Sequence, residues 1–166
     1  KNGVPVPLNE WFGQVDFGGR GTLIGIYMTP LSVHFNRAPV GGKIEKIISL
    51  PARHPRGNQS MSRAFMRLFW RMKPYEEGCS YIVNNARATT VIRGEIDAVM
   101  VQIADRWVNH IDCFVKENMT VETGQKVGMI RMGSQCDVYI PHAPNIKISC
   151  SPGRKVHGGE TILGTY

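Results

Sequence analysis

His34 stands in the stretch "SVHFNRAP", followed closely by Asn36 and Arg37. A histidine suits proton transfer, because its unperturbed pKa of about 6.5 lies near working pH. Arg37 could hold a phosphate or a carboxylate, or brace the loop that carries it. Much further along, "RMGSQCDVYIP" sets Gly133 and Ser134 just ahead of an apolar run. Such a pair is either a turn or the raw material of a cofactor, and the two residues alone do not choose. The other reactive side chains form no constellation. Cys79, Cys113, Cys136 and Cys150 make no C-x-x-C pair, and none of the five histidines clusters with them at zinc-ligand spacing. No metal site is expected, and His110, His142 and His157 read as surface or structural residues.

A scaffold must hold these residues, and 166 residues suffice for one domain, 1–166, since chains of about 150 residues bury roughly 70% of their unfolded surface. Thr22 to Tyr27 and Lys43 to Leu50 are rich in Ile and Leu and bounded by Gly and Pro, the mark of strands. From Tyr81 onward short apolar runs recur ("YIVNN", "TTVIRG", "AVMVQIA", "KVGMI", "CDVYIP", "IKISC", "TILGTY"), nearly all separated by Gly, Asn or Pro. The fold class expected is mainly β (α+β), an antiparallel barrel-sandwich-like core. The segments "VKENMTVETGQKVGMIRMG" and "SPGRKVHGGETILGTY" resemble each other and read as paired hairpins. Ile24, Ile26, Ile44, Ile47, Val99, Val101, Ile103, Val127, Ile130, Val138, Ile140, Ile146 and Ile148 alternate as strand interiors should.

The middle of the chain breaks this pattern. Residues of about 58–74 lack β-alternation and predict a short amphipathic helical insertion ending before Pro74. Arg63, Arg67 and Arg71 recur at four-residue spacing and share one stripe, with aromatic and apolar residues over the rest of the surface. That combination fits an anionic phospholipid surface, or else a core helix whose arginines face solvent. A formal charge of +7 also favours anionic partners. Nucleic acid is not expected, because the aromatics are not spaced on strands as a base-stacking platform requires. No run of about 18 apolar residues crosses a bilayer, and the first residues lack a signal peptide's apolar region. Because the chain opens on Lys rather than Met, further sequence upstream is expected.

Two stretches together resemble the phosphatidylserine decarboxylase family. "IGIYMTPLSVHFNRAPVGGKI" is similar to that family's segment around its histidine, and "VQIADRWVNHI…VETGQKVGMIRMGSQCDVYIP" is similar to its C-terminal half, in the family's order and spacing. The resemblance implies that the Gly133–Ser134 bond breaks itself. The serine oxygen attacks the preceding carbonyl, an ester replaces the amide, and elimination leaves a pyruvoyl cofactor on residue 134. Residues 1–133 and 134–166 would then be two chains sharing strands. A ketone there accepts a substrate amine and draws off the electrons left when carbon dioxide departs, which no ordinary side chain can do. His34 matches the family's histidine and is expected to return the proton. Asn36, Arg37, Arg63 and Arg67 are expected to bind substrate.

Three positions depart from the family's pattern. Ser32 replaces an Asp two residues before His34, and Ala86 replaces the Glu of an Asn-Glu-Arg motif. The acid that helps activate the serine has one candidate upstream, Asp16, just eighteen residues before His34. The expected function is therefore a pyruvoyl-dependent decarboxylase of a serine-headed phospholipid, peripheral on the cytoplasmic side of a membrane, with oligomeric state open. Two alternatives remain at this stage: the same chemistry on a free amino acid or amino-acid-derived metabolite, and an uncleaved, non-enzymatic lipid-binding or interaction module. A lipoyl or biotinyl carrier is remote, for want of a lysine at a hairpin tip.

Overall fold

The computed structural model describes residues 8–13, 15, 20–62, 66, 70, 79–108, 110–131, 133–142 and 145–166. Asp16, Arg63, Arg67 and most of the helix expected over 58–74 lie outside them. Within that segment the Trp70 N–H donates to Met66 O at 3.0 Å, the bond of a helical turn.

Eleven strands and two single-turn helices are delimited among the described residues, besides the helical Ser62 and Met66. The strands are β1 (Gly21–Met28), β2 (Phe35–Arg37), β3 (Gly42–Leu50), β4 (Arg87–Arg93), β5 (Ala98–Ala104), β6 (Ile111–Cys113), β7 (Thr120–Val121), β8 (Lys126–Ile130), β9 (Ser134–Pro141), β10 (Lys147–Ile148) and β11 (Gly164–Thr165). The helices are α1 (Leu8–Trp11) and α2 (Tyr81–Asn84). Six strands form one antiparallel sheet in the order β1-β9-β5-β4-β3-β7, three form a second in the order β2-β8-β6, and β10 pairs with β11. The large sheet ends at β1 and β7, so the sandwich does not close into a barrel.

Burial on both faces explains the unbroken apolar run of β5, every residue of which is buried. On one face Met28, Ile44, Ile92, Met100, Ala104 and Cys136 pack against Val127 and Ile130 of the small sheet. On the other, Val91, Val99, Val101, Ile103 and Tyr139 pack against Phe12, Met61 and Tyr81. Because successive side chains of a strand alternate between faces, Ser134 and Gln135 are committed to opposite layers.

Several expectations need correction. "YIVNN" does not form a strand: Tyr81–Asn84 is a helical turn closed by Asn85 N–H to Tyr81 O at 2.9 Å. An apolar run that short fits either period, and burial of the Tyr81 ring decides it. The two similar glycine-containing segments are not paired hairpins. β7 pairs with β3, β8 with β2 and β6, and β11 with β10. Ile24 and Ile26 are only half-buried because β1 is an edge strand, and Ile148, 36% exposed, sits in the outlying β10–β11 ribbon. Ile47, Ile140 and Ile146 are likewise half-buried.

Candidate active site

Ser134 is the first residue of β9 and is completely buried. The ladder holds it on both sides, opposite Met28 of β1 and Ala104 of β5. Among the described residues its hydroxyl has one partner, the Met28 sulfur at 3.9 Å, a weak acceptor that leaves the oxygen largely uncommitted. Gly133, just before it, has φ of +67°, in the left-handed region where a side chain is strained. A Cβ at Gly133 would also lie 3.2 Å from Asp105 Oδ2. The residue type and the turn into β9 therefore require each other.

The second stretch arrives from the facing sheet. The buried Asn36 donates from Nδ2 to the same Met28 sulfur at 3.5 Å and accepts from Gln102 Nε2 at 2.7 Å. Met28 is thus touched by both Asn36 and Ser134, and the two sequence motifs meet at its thioether. His34 lies two residues before Asn36, with its carbonyl accepting from Ile130 N–H at 3.2 Å. Its ring Nε2 is 3.4 Å from Pro30 O, and its Nδ1 is buried with no hydrogen-bond partner among the described residues. Ser32, which stands where an acid was expected, closes the turn before His34, its Oγ accepting from Thr29 N–H at 3.0 Å.

Arg37 is committed to the scaffold. Its Nη1 donates to Gly124 O at 2.7 Å, and a Cβ at Gly159 would meet its Nε at 2.7 Å, so the guanidinium is clamped between two turns. Arg131, ahead of the Gly-Ser pair, turns outward to Asp112 at 3.6 Å. His110, His142 and His157 are exposed, as expected of surface residues.

Four buried or half-buried polar residues were not among the expected site residues, although two of them, Asn85 and Arg87, flank Ala86 in the altered Asn-Glu-Arg motif. Asn85 bridges Gln59 and the end of β5, donating to Gln59 O at 2.8 Å and Ala104 O at 2.7 Å. Arg87, 2% exposed, spends its guanidinium on the carbonyls of Glu10, Trp11, Val83 and Asn85. Burial, with Arg53 nearby, lowers its pKa, while Glu10 opposes that shift. Asp105 follows Ala104, with Oδ1 accepting from Met61 N–H at 2.9 Å and Arg106 N–H at 2.6 Å. Asp137 lies on the face opposite Ser134 Oγ and accepts from Gln135 Nε2 at 2.6 Å, while Gln135 Oε1 accepts from Tyr81 Oη at 2.6 Å. Burial pushes the Asp137 carboxyl up to about 7, against the opposing influence of Gln135 and the Trp11 indole. Burial likewise raises the Cys136 thiol and the Tyr27 and Tyr81 phenols, which keeps them protonated. A polar letter inside an apolar run, Gln102 in "AVMVQIA" or Asp137 in "CDVYIP", was the available signal. Among the described residues no group of three metal-ligating side chains forms.

The family model for phosphatidylserine decarboxylase matches residues 3–164. This chain belongs to the phosphatidylserine decarboxylase family. A phosphatidylserine decarboxylase proenzyme of Desulfotalea psychrophila is 33% identical over 146 residues, covering 88% of this chain and 59% of the relative. A second, from Pelodictyon phaeoclathratiforme, is 31% identical over 149 residues, 90% of this chain and 61% of the relative. A putative archaetidylserine decarboxylase proenzyme of Methanocaldococcus jannaschii is 37% identical over 142 residues, 85% of this chain and 59% of the relative. The chain therefore spans about three fifths of the length of the curated relatives it matches. No solved structure matches it.

Proposed function

We propose that this protein cuts its own backbone between Gly133 and Ser134, carries a pyruvoyl group on residue 134, and removes the carboxyl group of a serine-headed phospholipid to leave an ethanolamine lipid. The position of Ser134 carries this reading. It is a buried hydroxyl at the first position of an interior strand, preceded by a left-handed glycine and joined through Met28 to Asn36 of β2, the strand that begins just after His34. A cut at that point leaves β9 bound to β1 along its whole length and to β5 from Ser134 to Tyr139, so the two pieces stay one fold.

Making the group balances as follows. Ser134 Oγ attacks the Gly133 carbonyl carbon and the amide C–N bond breaks, leaving an ester and a free amine on residue 134. Loss of the Ser134 α-proton then breaks the Cβ–Oγ bond and releases Gly133 as a carboxylate. Water replaces the remaining nitrogen, which leaves as ammonia. The surroundings fit such a group, since the ladder fixes residue 134 on both sides and the one described partner of its hydroxyl is a weak acceptor. A ketone on residue 134 supplies the electron sink for decarboxylation.

The chain's own residues do the rest. His34, through the unpaired Nδ1, holds the proton destined for the decarboxylated carbon. Asn36, pinned by Gln102, orients the floor of the site. Arg37 braces the strand at Asn36 and touches substrate only if its Gly124 contact is exchanged. Asp16, Arg63 and Arg67 keep the roles read from sequence, processing acid for the first and phosphate contacts for the others. A lipid surface is the partner favoured by the rim of the site. Leu31 is 98%, Val33 60% and Trp107 75% exposed, on loops that leave the β1 and β5 ends flanking Ser134, with exposed Arg106 and Arg131 alongside. Contact of this kind is peripheral, and among the described residues no helix is long and apolar enough to cross a membrane.

Intact mass of matured protein tests the reading. A fragment of 33 residues, 134 to 166 inclusive, should appear with a ketone in place of its amine. Ser134→Ala should stay whole and inert. Carbon dioxide release from phosphatidylserine should vanish with hydroxylamine, and decarboxylation by a chain that never divides would defeat the proposal.

A further inference from the structure

A cleft of about 540 Å³, the size of a small-ligand site, opens beside β3. Lys46 and Ile48 of β3, Arg87 of β4, Arg53 just after β3 and Glu10 of α1 are among the residues that line it. It lies across the large sheet from Ser134: Ile48 packs with the layer of Phe12 and Tyr139, whereas Ser134 touches Met28 of the opposite layer. We infer that this cleft binds a phosphate ester, Lys46 and Arg53 taking the phosphate while Ile48 and Leu50 take the apolar group beside it.

An irregularity in β3 puts Lys46 there. Ile44 pairs with Ile92, and a register shift then makes Lys46 the partner of Val91. Because strand side chains alternate, Lys46 in regular register would share the face of Ile44, which is fully buried in the core beneath the small sheet. The shift turns it instead to the face of Ile48 and Leu50, where it is exposed. No described carboxylate pairs with it. Leu50, opposite Arg87 in the ladder, forms the end of the floor, and the chain at Gly13 closes on it: with φ of +75°, a Cβ there would stand 2.9 Å from Leu50 Cδ1.

Charge selects the ligand. Among the described lining residues Lys46, Arg53 and Arg87 meet a single carboxylate, Glu10. Arg53 Nη1 donates to Glu10 Oε1 at 2.6 Å, and the other donors of its fork have no partner among the described residues. Arg87 is 2% exposed and spends its guanidinium on backbone carbonyls, so it supplies field rather than contact. Burial and then Arg53 lower the Arg87 pKa, with Glu10 opposing, the direction expected of two guanidinium groups that share too little negative charge. A phosphate monoester, with a charge of about −2 at pH 7, offsets that excess. A carboxylate or a sulfate ester, singly charged, leaves part of it uncompensated. Arg53 can offer parallel N–H bonds to two phosphate oxygens, and Lys46 a point charge to a third.

Equilibrium dialysis of the full chain tests the site, whether or not residue 134 has been processed. The probes are glycerol phosphate and dihexanoyl phosphatidic acid kept monomeric, so that no lipid surface is present. Wild type is compared with Lys46→Gln, Arg53→Gln and Lys155→Gln, the last an equal loss of charge between β10 and β11. Lys46 and Arg53 are exposed, so their replacement spares the core. Wild type and Lys155→Gln should bind alike, and each cleft variant at least about tenfold more weakly. Tighter binding of the lipid supports the site with a lipid headgroup as the source of the phosphate, and equal binding supports it with a soluble ester. Wild type that binds neither probe at millimolar concentration overturns the inference, as does undiminished binding by both cleft variants. An equal loss in Lys155→Gln also overturns it, by reducing the binding to general attraction between an anion and a basic chain.

Discussion

Asp137 offers a measurement in which the structure sets both sign and ceiling. Its side chain is 1% exposed, and burial raises its pKa from 3.8 to about 7 despite the opposing influence of Gln135 and the Trp11 indole. Between those two values the native state keeps a proton that the unfolded chain has released. Stability conferred by this group is therefore present in full below about pH 4, falls as pH rises towards 7, and is flat beyond. At 1.36 kcal/mol per pKa unit the loss has a ceiling of about 4 kcal/mol, a large part of the roughly 5–15 kcal/mol that stabilises a domain. Asp137→Asn removes the charge and keeps an oxygen for Gln135 Nε2. On a Ser134→Ala background, which keeps one chain and a simple unfolding equilibrium, urea midpoints would be taken from pH 5 to pH 8. The parent should lose stability across that range and the variant should not, so that the variant is the more stable protein at pH 8. Parallel pH profiles, or a variant less stable at pH 8, would refute the account of Asp137 as a buried group protonated near neutrality.

Other substitutions probe the remaining parts. His34→Gln should still yield the 33-residue fragment yet decarboxylate about 10²–10⁴ times more slowly; unchanged turnover would remove His34 from the proton path. Gly133→Ala forces a Cβ into left-handed backbone and against Asp105, so cleavage should slow and the uncut chain should lose about 1–2 kcal/mol; cleavage at the parent rate on denaturing gels would argue against that constraint. Arg87→Met strips four carbonyls of their donor and should cost at least about 3 kcal/mol in urea unfolding, whereas a loss under 1 kcal/mol would mean water replaces the guanidinium.

Sequence by itself determined which residue types were available and where strands could start. Gly and Pro boundaries located β1 and β3 nearly to the residue, and the two quoted motifs carried the family and marked His34, Gly133 and Ser134 as the candidates. Local patterning could not say which strands would pair. A residue's periodicity is a property of its own segment, whereas burial depends on what another segment lays over it. That is why Ile24 and Ile26 read as interior yet sit on an edge strand, while Met100 and Gln102 are buried under a second sheet. Only the tertiary structure decided that Arg37 would be spent on Gly124. It alone brought Asp105 against Gly133, because both depend on the β5–β9 register, set by side-chain packing between strands 29 residues apart in sequence rather than by any local preference.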